Sequence, residues 1–476
     1  MHELSDVIDK SLCIIFNSSF KSGTVPEGWK IGQITALFKK GSKNLASNYR
    51  PVSLTSIICK LMEKLIRKRI IQHMDNFDLF SEKQFGFMGG RSTTLQLLKV
   101  LDHWTSILDN GGSIDTVYTD FMKAFDKVPH LRLLNKLRSY GISNQTCLWI
   151  QNFLSDRKQR VQLNGSYSKW HKVTSGIPQG SVLGPILFVL FINDLPLHVK
   201  SDVYMFADDT KLYREIVNQS NIEMVQSDIN NLFKWSEKWL LRFHPDKCKV
   251  LSISGKSQLH RSTNYTMPTY SGSYVTLESV ESEKDIGVTI DSKLNFEKHI
   301  QTQVNKANQI VGVIRRSFKY LNFKTFCLLF KSLVRPHLEY ACSVWNPYKL
   351  KDIEAIENVQ RRATKMLPDM KDLTYEERLR KLKLPSLRYR RLRGDMVETY
   401  KIVSGIYDKR VTKDLLPTHT STQHQTRGHS RKLAKNRSRL DIRKHYFTNR
   451  VVEDWNSLPE SVVTANLRTL KSSKTV

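Results

Sequence analysis

Two apolar runs that each end in aspartate restrict the fold of this chain more than any other feature. The first, Ser113-Ile114-Asp115-Thr116-Val117-Tyr118-Thr119, reads as a strand and stops at Asp120. The second, Ser201 to Ala207, ends at Asp208-Asp209-Thr210, and apolar periodicity resumes at Lys211-Leu212-Tyr213. The second pattern is that of a hairpin with acids at its bend, while the turn-like stretch Asp126 to His130 follows the first. If the strands are neighbours in one sheet, their carboxylates converge on a solvent-facing edge. An isolated Asp-Asp is ordinarily a turn pair, but flanking strands and a matching upstream acid favour a site. Carboxylate oxygens are hard ligands suited to octahedral Mg²⁺, with phosphate oxygens and water filling the remaining positions. Two such ions roughly 4 Å apart would activate an attacking 3′-oxygen and steady a departing pyrophosphate, so the pattern points to nucleotide joining.

A second box, Gly176, Pro178, Gln179 and Gly180, precedes the apolar stretch Val182 to Ile192. Glycine permits close backbone approach, and Gly180-Ser181 is expected to open a helix with its free amides facing outward. Asn193-Asp194-Leu195-Pro196 should end that run. From Ser227 to Leu241 the spacing predicts an amphipathic helix with Ile229, Leu232, Phe233, Trp235, Trp239 and Leu240 buried. Cys248 to Ile253 should return to the sheet, Ser252 to Asn264 reads as a polar loop, and Leu277 to Ile290 as returning strands. Helical periodicity then covers Phe296 to Tyr320 and Lys324 to Leu333. Tyr204, Tyr213, Tyr265, Tyr270 and Tyr274 suit either base stacking or sheet packing.

The 476 residues can support several subdomains. A formal charge of +30, from 75 basic and 45 acidic side chains, favours contacts with a polyanion, nucleic acid before an anionic membrane. The bases of Arg361 to Lys365, Arg388 to Arg393 and Arg431 to Lys444 are expected to form a positive surface. Val182 to Leu197 is interrupted by Pro185, Asn193, Asp194 and Pro196 and is too short for a dependable membrane span, so no membrane partner is expected. The start, Met1 to Asp6, does not read as a secretory signal. Six widely spaced cysteines suggest neither a disulfide framework nor a zinc module; they suit an intracellular, reducing setting, nucleus or cytoplasm, with Cys59 and Cys147 as core thiols.

These motifs, in order, resemble the reverse transcriptases of non-LTR retrotransposons, in particular jockey-like elements. The resemblance runs through Ile34 to Gly41, Asn48 to Thr55, the Asp120 segment, Thr174 to Pro185, the Phe206 to Asp209 box and Asp246 to Val250. It continues through Val334 to Tyr340 and Trp455 to Pro459. It implies an α+β right-hand polymerase fold with a ferredoxin-like palm sheet and helical fingers and thumb. The expected division is a lead segment at 1–29, fingers at 30–112, palm at 113–290, a thumb-like region at 291–350 and a basic helical extension at 351–476.

The resemblance also assigns roles. Asp120 and Asp208 are the expected metal ligands and Asp209 the companion acid, for two Mg²⁺ ions with Mn²⁺ as a substitute. Phe125 resembles the residue that packs under the sugar of the incoming nucleotide and excludes a 2′-hydroxyl, although it could equally be a core aromatic. Gly176, Pro178, Gln179 and Gly180 would contact the templating pair and nucleotide. Lys247 resembles the lysine near the polyphosphate, with Lys249 one strand face away as an alternative, and Arg91 is the expected phosphate contact. Expected partners are an RNA template, a DNA primer and dNTPs.

Three departures stand out. Met88 and Gly89 occupy positions where relatives usually present Arg-Lys, which removes two charges from the fingers and suggests an impaired copy. Met122 stands where family members commonly have Ser. Autonomous elements of this type usually carry an endonuclease before the polymerase, and Met1 to Lys30 is too short for one, so a fragment or endonuclease-less copy is expected. The alternatives to a polymerase are a catalytically dead nucleic-acid-binding remnant and a structural adaptor acting through its C-terminal helices; the adaptor leaves the paired acidic boxes unexplained.

Overall fold

Why the acid-tipped strands are buried at consecutive positions is clear from the fold, seen in a computed structural model that describes residues 5–255, 264–418 and 428–465. The interior of the predicted polar loop, 256–263, and the chain ends at 1–4 and 466–476 lie outside the described residues. Helix α1 (Ser5–Ser22) leads to β1 (Ile31–Phe38) and β2 (Tyr49–Leu54), which pair antiparallel from Gln33↔Leu54 to Phe38↔Tyr49. Ser56 and Ser92 accept hydrogen bonds from the amides of Cys59 and Leu95, capping α2 (Ile57–Asn76) and α3 (Thr93–Asp109). Then come β3 (Ser113–Thr119), α4 (His130–Ser139), α5 (Asn144–Leu154), β4 (Lys158–Leu163) and the two-residue strands β5 (Ser166–Tyr167) and β6 (His171–Lys172).

Because β4 runs parallel to β1, residues 31–54 and 158–172 build one five-stranded sheet. The expected helical character of residues 30–112 is corrected at residues 31–54: alternating burial along β1, with Gly32 and Ile34 inward, is a strand pattern.

Helix α6 (Gly184–Ile192) is buried at every position except Pro185. An all-round apolar helix of this length belongs in a core. Among the described residues no helix is long and apolar enough to cross a membrane. The predicted hairpin forms as β7 (Asp202–Phe206) and β8 (Asp209–Glu215). Helix α7 (Gln219–Trp239) starts at Gln219 rather than Ser227 because Asn218 and Asn221 close a capping box. Ile229, Leu232, Phe233 and Trp235 are buried as expected; Leu240 is the left-handed C-cap and 47% exposed, which corrects its placement in the core.

After β9 (Lys249–Ser254) come β10 (Thr266–Pro268), β11 (Tyr274–Thr276), β12 (Glu278–Ser279) and a hairpin of β13 (Ser282–Asp285) and β14 (Val288–Asp291). The central sheet has the order β12-β9-β3-β8-β7. It is covered on both faces. Val117, Val203, Met205, Leu212 and Val250 point into a core with α4 to α7, whereas Ile114, Tyr204, Tyr213, Leu251 and Ile253 point into another with α3. Double coverage removes the polar face that would otherwise alternate along each strand. Tyr204, Tyr213 and Tyr265 are buried, so these three pack rather than stack on bases.

The second core continues through α8 (Glu297–Ser317), α9 (Phe323–Leu329), a π turn at Phe330–Val334, α10 (Arg335–Glu339), α11 (Cys342–Trp345), α12 (Leu350–Thr364), α13 (Tyr375–Leu382) and α14 (Leu387–Val403). It ends with α15 (Lys409–Thr412), α16 (Asp441–Lys444), α17 (Phe447–Asn456) and α18 (Glu460–Val463). Several bases expected on a positive surface turn inward here. Arg443 donates to Asp102 Oδ1 at 2.5 Å, Arg391 to Asn346 Oδ1 at 3.1 Å, Arg390 pairs with Glu339, and Arg431 donates to the Val463 carbonyl at 3.0 Å. The six cysteines are free, and Cys59 and Cys147 are fully buried.

Candidate active site

Strand pairing sets the backbones of the three aspartates at one end of the central sheet. In the β3–β8 ladder Thr119 faces Thr210, so Asp120 leaves β3 beside Asp209. Phe206 pairs with Asp209, leaving Ala207-Asp208 as a two-residue bend. Ala207 sits at φ +55, a left-handed conformation that alanine rarely adopts. Its amide donates to Gln84 Oε1 at 2.9 Å, which holds the bend in place.

Burial raises the Asp208 carboxyl, its backbone hydrogen bond opposes this, and the charge of Asp120 adds to the rise while Arg50 and Lys39 counter it. Asp209 is lifted to about 6, first by loss of water around its carboxyl and then by the charges of Asp208, Asp285 and Asp120. Such crowding of like charge is what an added cation relieves.

Asp120 is fixed from the other side. Its carbonyl accepts from the His244 amide at 2.7 Å, the Met122 amide donates to Arg242 O at 2.8 Å, and the Phe121 and Phe243 rings stack at 4.3 Å. These contacts seat the turn that carries Lys247, whose Nζ lies 3.3 Å from Asp120 Oδ2. Lys249 instead pairs with Glu283 at 3.1 Å. A cleft of about 380 Å³ opens here, and its walls include Asp120, Asp209, Lys39, Lys40, Lys247 and Lys249. Among the described residues no three His, Cys, Asp or Glu side chains stand close enough to hold a metal ion as arranged. The donor chemistry nonetheless suits a hard divalent cation: all-oxygen carboxylates, mutually repelling, at the mouth of a polar cleft.

The glycine box packs closely against β2 and against the turn that follows Asp120. A Cβ at Gly176 (φ +86) would stand 2.5 Å from the Asp126 carbonyl, and one at Gly180 (φ +120) 2.3 Å from the Ser53 carbonyl, so only glycine fits either position. The Ser53 amide donates to Gln179 O at 2.6 Å, joining β2 to the box that contains Pro178, while Gln179 Nε2 donates to Asp126 Oδ1 at 2.9 Å. The amides after Gly180 do not face outward. Those of Val182 and Leu183 donate to Glu63 Oε2 at 2.7 and 2.9 Å, and the Ser181 hydroxyl joins them. Phe125 stacks on Phe188 at 4.3 Å and meets the edge of Phe87 at 6.3 Å, half-buried rather than sealed in the core.

Arg91 is not turned to the cleft. Its side chain is fully buried, with Nε and NH2 on Asp408 Oδ2 at 3.0 and 2.8 Å and NH1 on the carbonyls of Ser81 and Gln84 at 2.8 and 2.6 Å. Every direction of the guanidinium fork used by these bonds is lost to a phosphate, which corrects the expected contact. The sequence reading did not single out Glu63, Gln84, Arg50 or Lys39. The cleft lysine and Arg50 had a signal in the motifs Ile34 to Gly41 and Asn48 to Thr55, whereas nothing local marks Glu63.

A model of the reverse transcriptase (RNA-dependent DNA polymerase) family matches residues 38–324, more than half of the chain. The RNA-directed DNA polymerase from mobile element jockey of Drosophila melanogaster is 29% identical over 357 residues, which is 72% of this chain and 38% of that protein. The probable RNA-directed DNA polymerase from transposon X-element of the same species is 28% identical over 360 residues, 73% of this chain and 39% of that protein. The chain thus spans about two fifths of the length of the curated relatives it matches. Apo telomerase from Candida tropicalis overlaps 86% of this chain and 74% of that chain at 11% identity and a TM-score of 0.44, a likeness too slight to assign anything. By the family model, with an acidic box and a lysine box meeting at one cleft in the expected order, the chain belongs to the reverse transcriptase family.

Proposed function

We propose that this chain extends a DNA primer on an RNA template with dNTPs. The observation that carries the reading is the meeting of β3 with the β7–β8 hairpin, which sets Asp120 beside Asp209 at a basic cleft. In this reading the primer 3′-hydroxyl loses its proton and attacks the α-phosphate; the new P–O bond forms as the bond to pyrophosphate breaks. Mg²⁺ held by Asp120 and Asp208, with Asp209 alongside, would supply Lewis-acid activation and charge neutralisation when bound. Lys247 and Lys249 offset charge on the phosphates, and either ammonium can donate a proton to the leaving group. Lys39, Lys40 and Arg50 draw the triphosphate toward the acids. Phe125, braced by Phe188, excludes a 2′-hydroxyl, and Gly176, Pro178, Gln179 and Gly180 shape the floor beneath the base pair. The finer architecture belongs to the same proposal: fingers at 30–112, a ferredoxin-like palm at 113–290 except for the strands of 158–172, which pair with those of the fingers, and a thumb at 291–350 closing behind the site, with 351–476 as its basic extension.

Primer extension on heteropolymeric RNA with Mg²⁺ tests this directly: the parent should extend and Asp208→Asn should not. Binding of RNA with no extension by the parent would overturn it in favour of the impaired-copy reading. One observation favours that second reading: the turn at residues 86–91 carries a single cation, Arg91, and its fork is spent on Asp408. A Cβ at Gly89 meets nothing within 4 Å, so Gly89→Lys is sterically free and should raise activity if missing charge is the defect.

A further inference from the structure

The segment from Lys83 to Gly86 forms an extra edge on the palm sheet. The Phe85 amide donates to Met205 O and the Met205 amide to Lys83 O, both at 2.8 Å, in a parallel bridge beside β7. Gln84 is fully buried, and its Oε1 accepts from the amides of both Gly86 and Ala207, at 2.8 and 2.9 Å. Gly86 is pressed so close that a Cβ there would stand 2.2 Å from the Ala207 nitrogen. The left-handed Ala207, which sets where Asp208 points, is therefore held by Gln84 and wedged by Gly86.

Gln84 is in turn held from far along the chain. Arg91 NH1 donates to the Gln84 carbonyl, and the other nitrogens of Arg91 grip Asp408, just before α15. The Asp408 amide donates to Gly90 O at 2.9 Å, and its carboxylate also accepts from the Arg410 amide and guanidinium at 3.0 to 3.1 Å. Arg410 reaches on to Asp78 Oδ1 at 2.5 Å. Each link is charge-assisted or buried, and so geometrically exacting.

We propose that Asp408, Arg91 and Gln84 form a positioning relay through which the C-terminal region sets the geometry of the Ala207-Asp208 bend. These are positioning residues: none faces the cleft, and each acts through the next. The proposal assigns Arg91 to the bend rather than to a phosphate. It rests on the reading of Asp208 as a catalytic ligand for its kinetic consequence, but not for its structural one.

Two measurements on the full chain test it. In primer extension, Asp408→Asn and Gln84→Leu should each lower kcat by about tenfold to a hundredfold, the scale of a misplaced reacting group, with the KM for dNTP within about twofold. The double variant should be no worse than Gln84→Leu alone, and Asp408→Glu should recover most activity. In hydrogen exchange, the Ala207 amide should lose protection in Asp408→Asn while amides of α6 keep theirs, which separates the relay from general unfolding. Unchanged exchange at Ala207, or losses that simply add in the double variant, would overturn the relay. A dNTP KM raised by Arg91→Lys with kcat preserved would restore the phosphate role. Should the parent prove unable to extend a primer, the exchange experiment still decides the relay, and only the proposed activity fails.

Discussion

At the scale of single residues, two side chains carry opposite lessons. Phe125 stands half-buried against Phe188 and Phe87, and the proposed gate role gives it a direct test. Phe125→Ala should raise ribonucleotide incorporation relative to deoxynucleotide, read in paired primer extensions; an unchanged preference would remove the gate role. Loss of the stack is expected to cost about 3 kcal/mol of stability, so the comparison belongs well below the unfolding temperature. His299 has no such outlet. It is 1% exposed at the start of α8, edge-on to Trp345 at 5.2 Å, and its Nδ1 accepts from the Thr289 amide at 3.1 Å. Burial, and then the charges of Lys306 and Lys284, push it down from 6.5 to about 4. Because the folded value is depressed, the unfolded chain binds a proton between pH 6.5 and 4 that the folded chain refuses. Stability is then whole above pH 6.5 and falls as the pH drops through that window, by roughly 2 kcal/mol at pH 5. Denaturant titrations at pH 7 and pH 5 check this, and His299→Gln should flatten the difference.

Between elements, the decisive contact is a buried ion pair. Lys211 on β8 and Asp285 on β13 are 3% and 5% exposed at their side chains and bond directly, and the Tyr118 hydroxyl on β3 reaches Asp285 at 3.5 Å. The pair thus ties the β13–β14 hairpin to the strand that begins with Asp209. Asp285→Asn leaves an uncompensated ammonium and should cost about 3 to 5 kcal/mol, whereas Lys211→Met with Asp285→Leu should regain most of that. A double variant as unstable as the single one would show that the pair does more than neutralise charge. This element also marks what could be read beforehand. The acid-tipped strands were legible because both faces of the sheet are covered, which writes burial into consecutive residues. The close approach at Gly180 was legible as a glycine requirement, but its partner Ser53 was not. Lys211 could have paired with any of 45 acids, and Arg91 found its acid 317 positions away; only the folded chain chooses between them. The inward turn of Arg443 and Arg391 was hidden for the same reason, since a charge run looks alike whether it faces water or a buried acid.

For the whole molecule, the question is whether the helices beyond residue 350 are an appendage or part of the core. Helix α3 packs one side of the central sheet, and its own outer side is covered by α16 and α17. Arg443 and Thr448 donate to Asp102 of α3, and the Tyr446 hydroxyl donates to Leu98 O at 2.8 Å. Val359, Leu387, Leu433, Tyr446, Phe447 and Trp455 are all buried in the core they share with α3 and the sheet. At about 2 kcal/mol each, these six alone supply roughly 12 kcal/mol, which is as large as the net stability of a typical domain. A chain ending at Leu350 is therefore expected to lose its cooperative unfolding transition and to expose apolar surface, rather than to yield a smaller folded unit. Thermal denaturation and dye binding of the truncated chain read this outcome. A sharp transition with primer extension intact would instead mean that the catalytic sheet folds by itself, and that the inward-facing arginines hold only the C-terminal helices to one another.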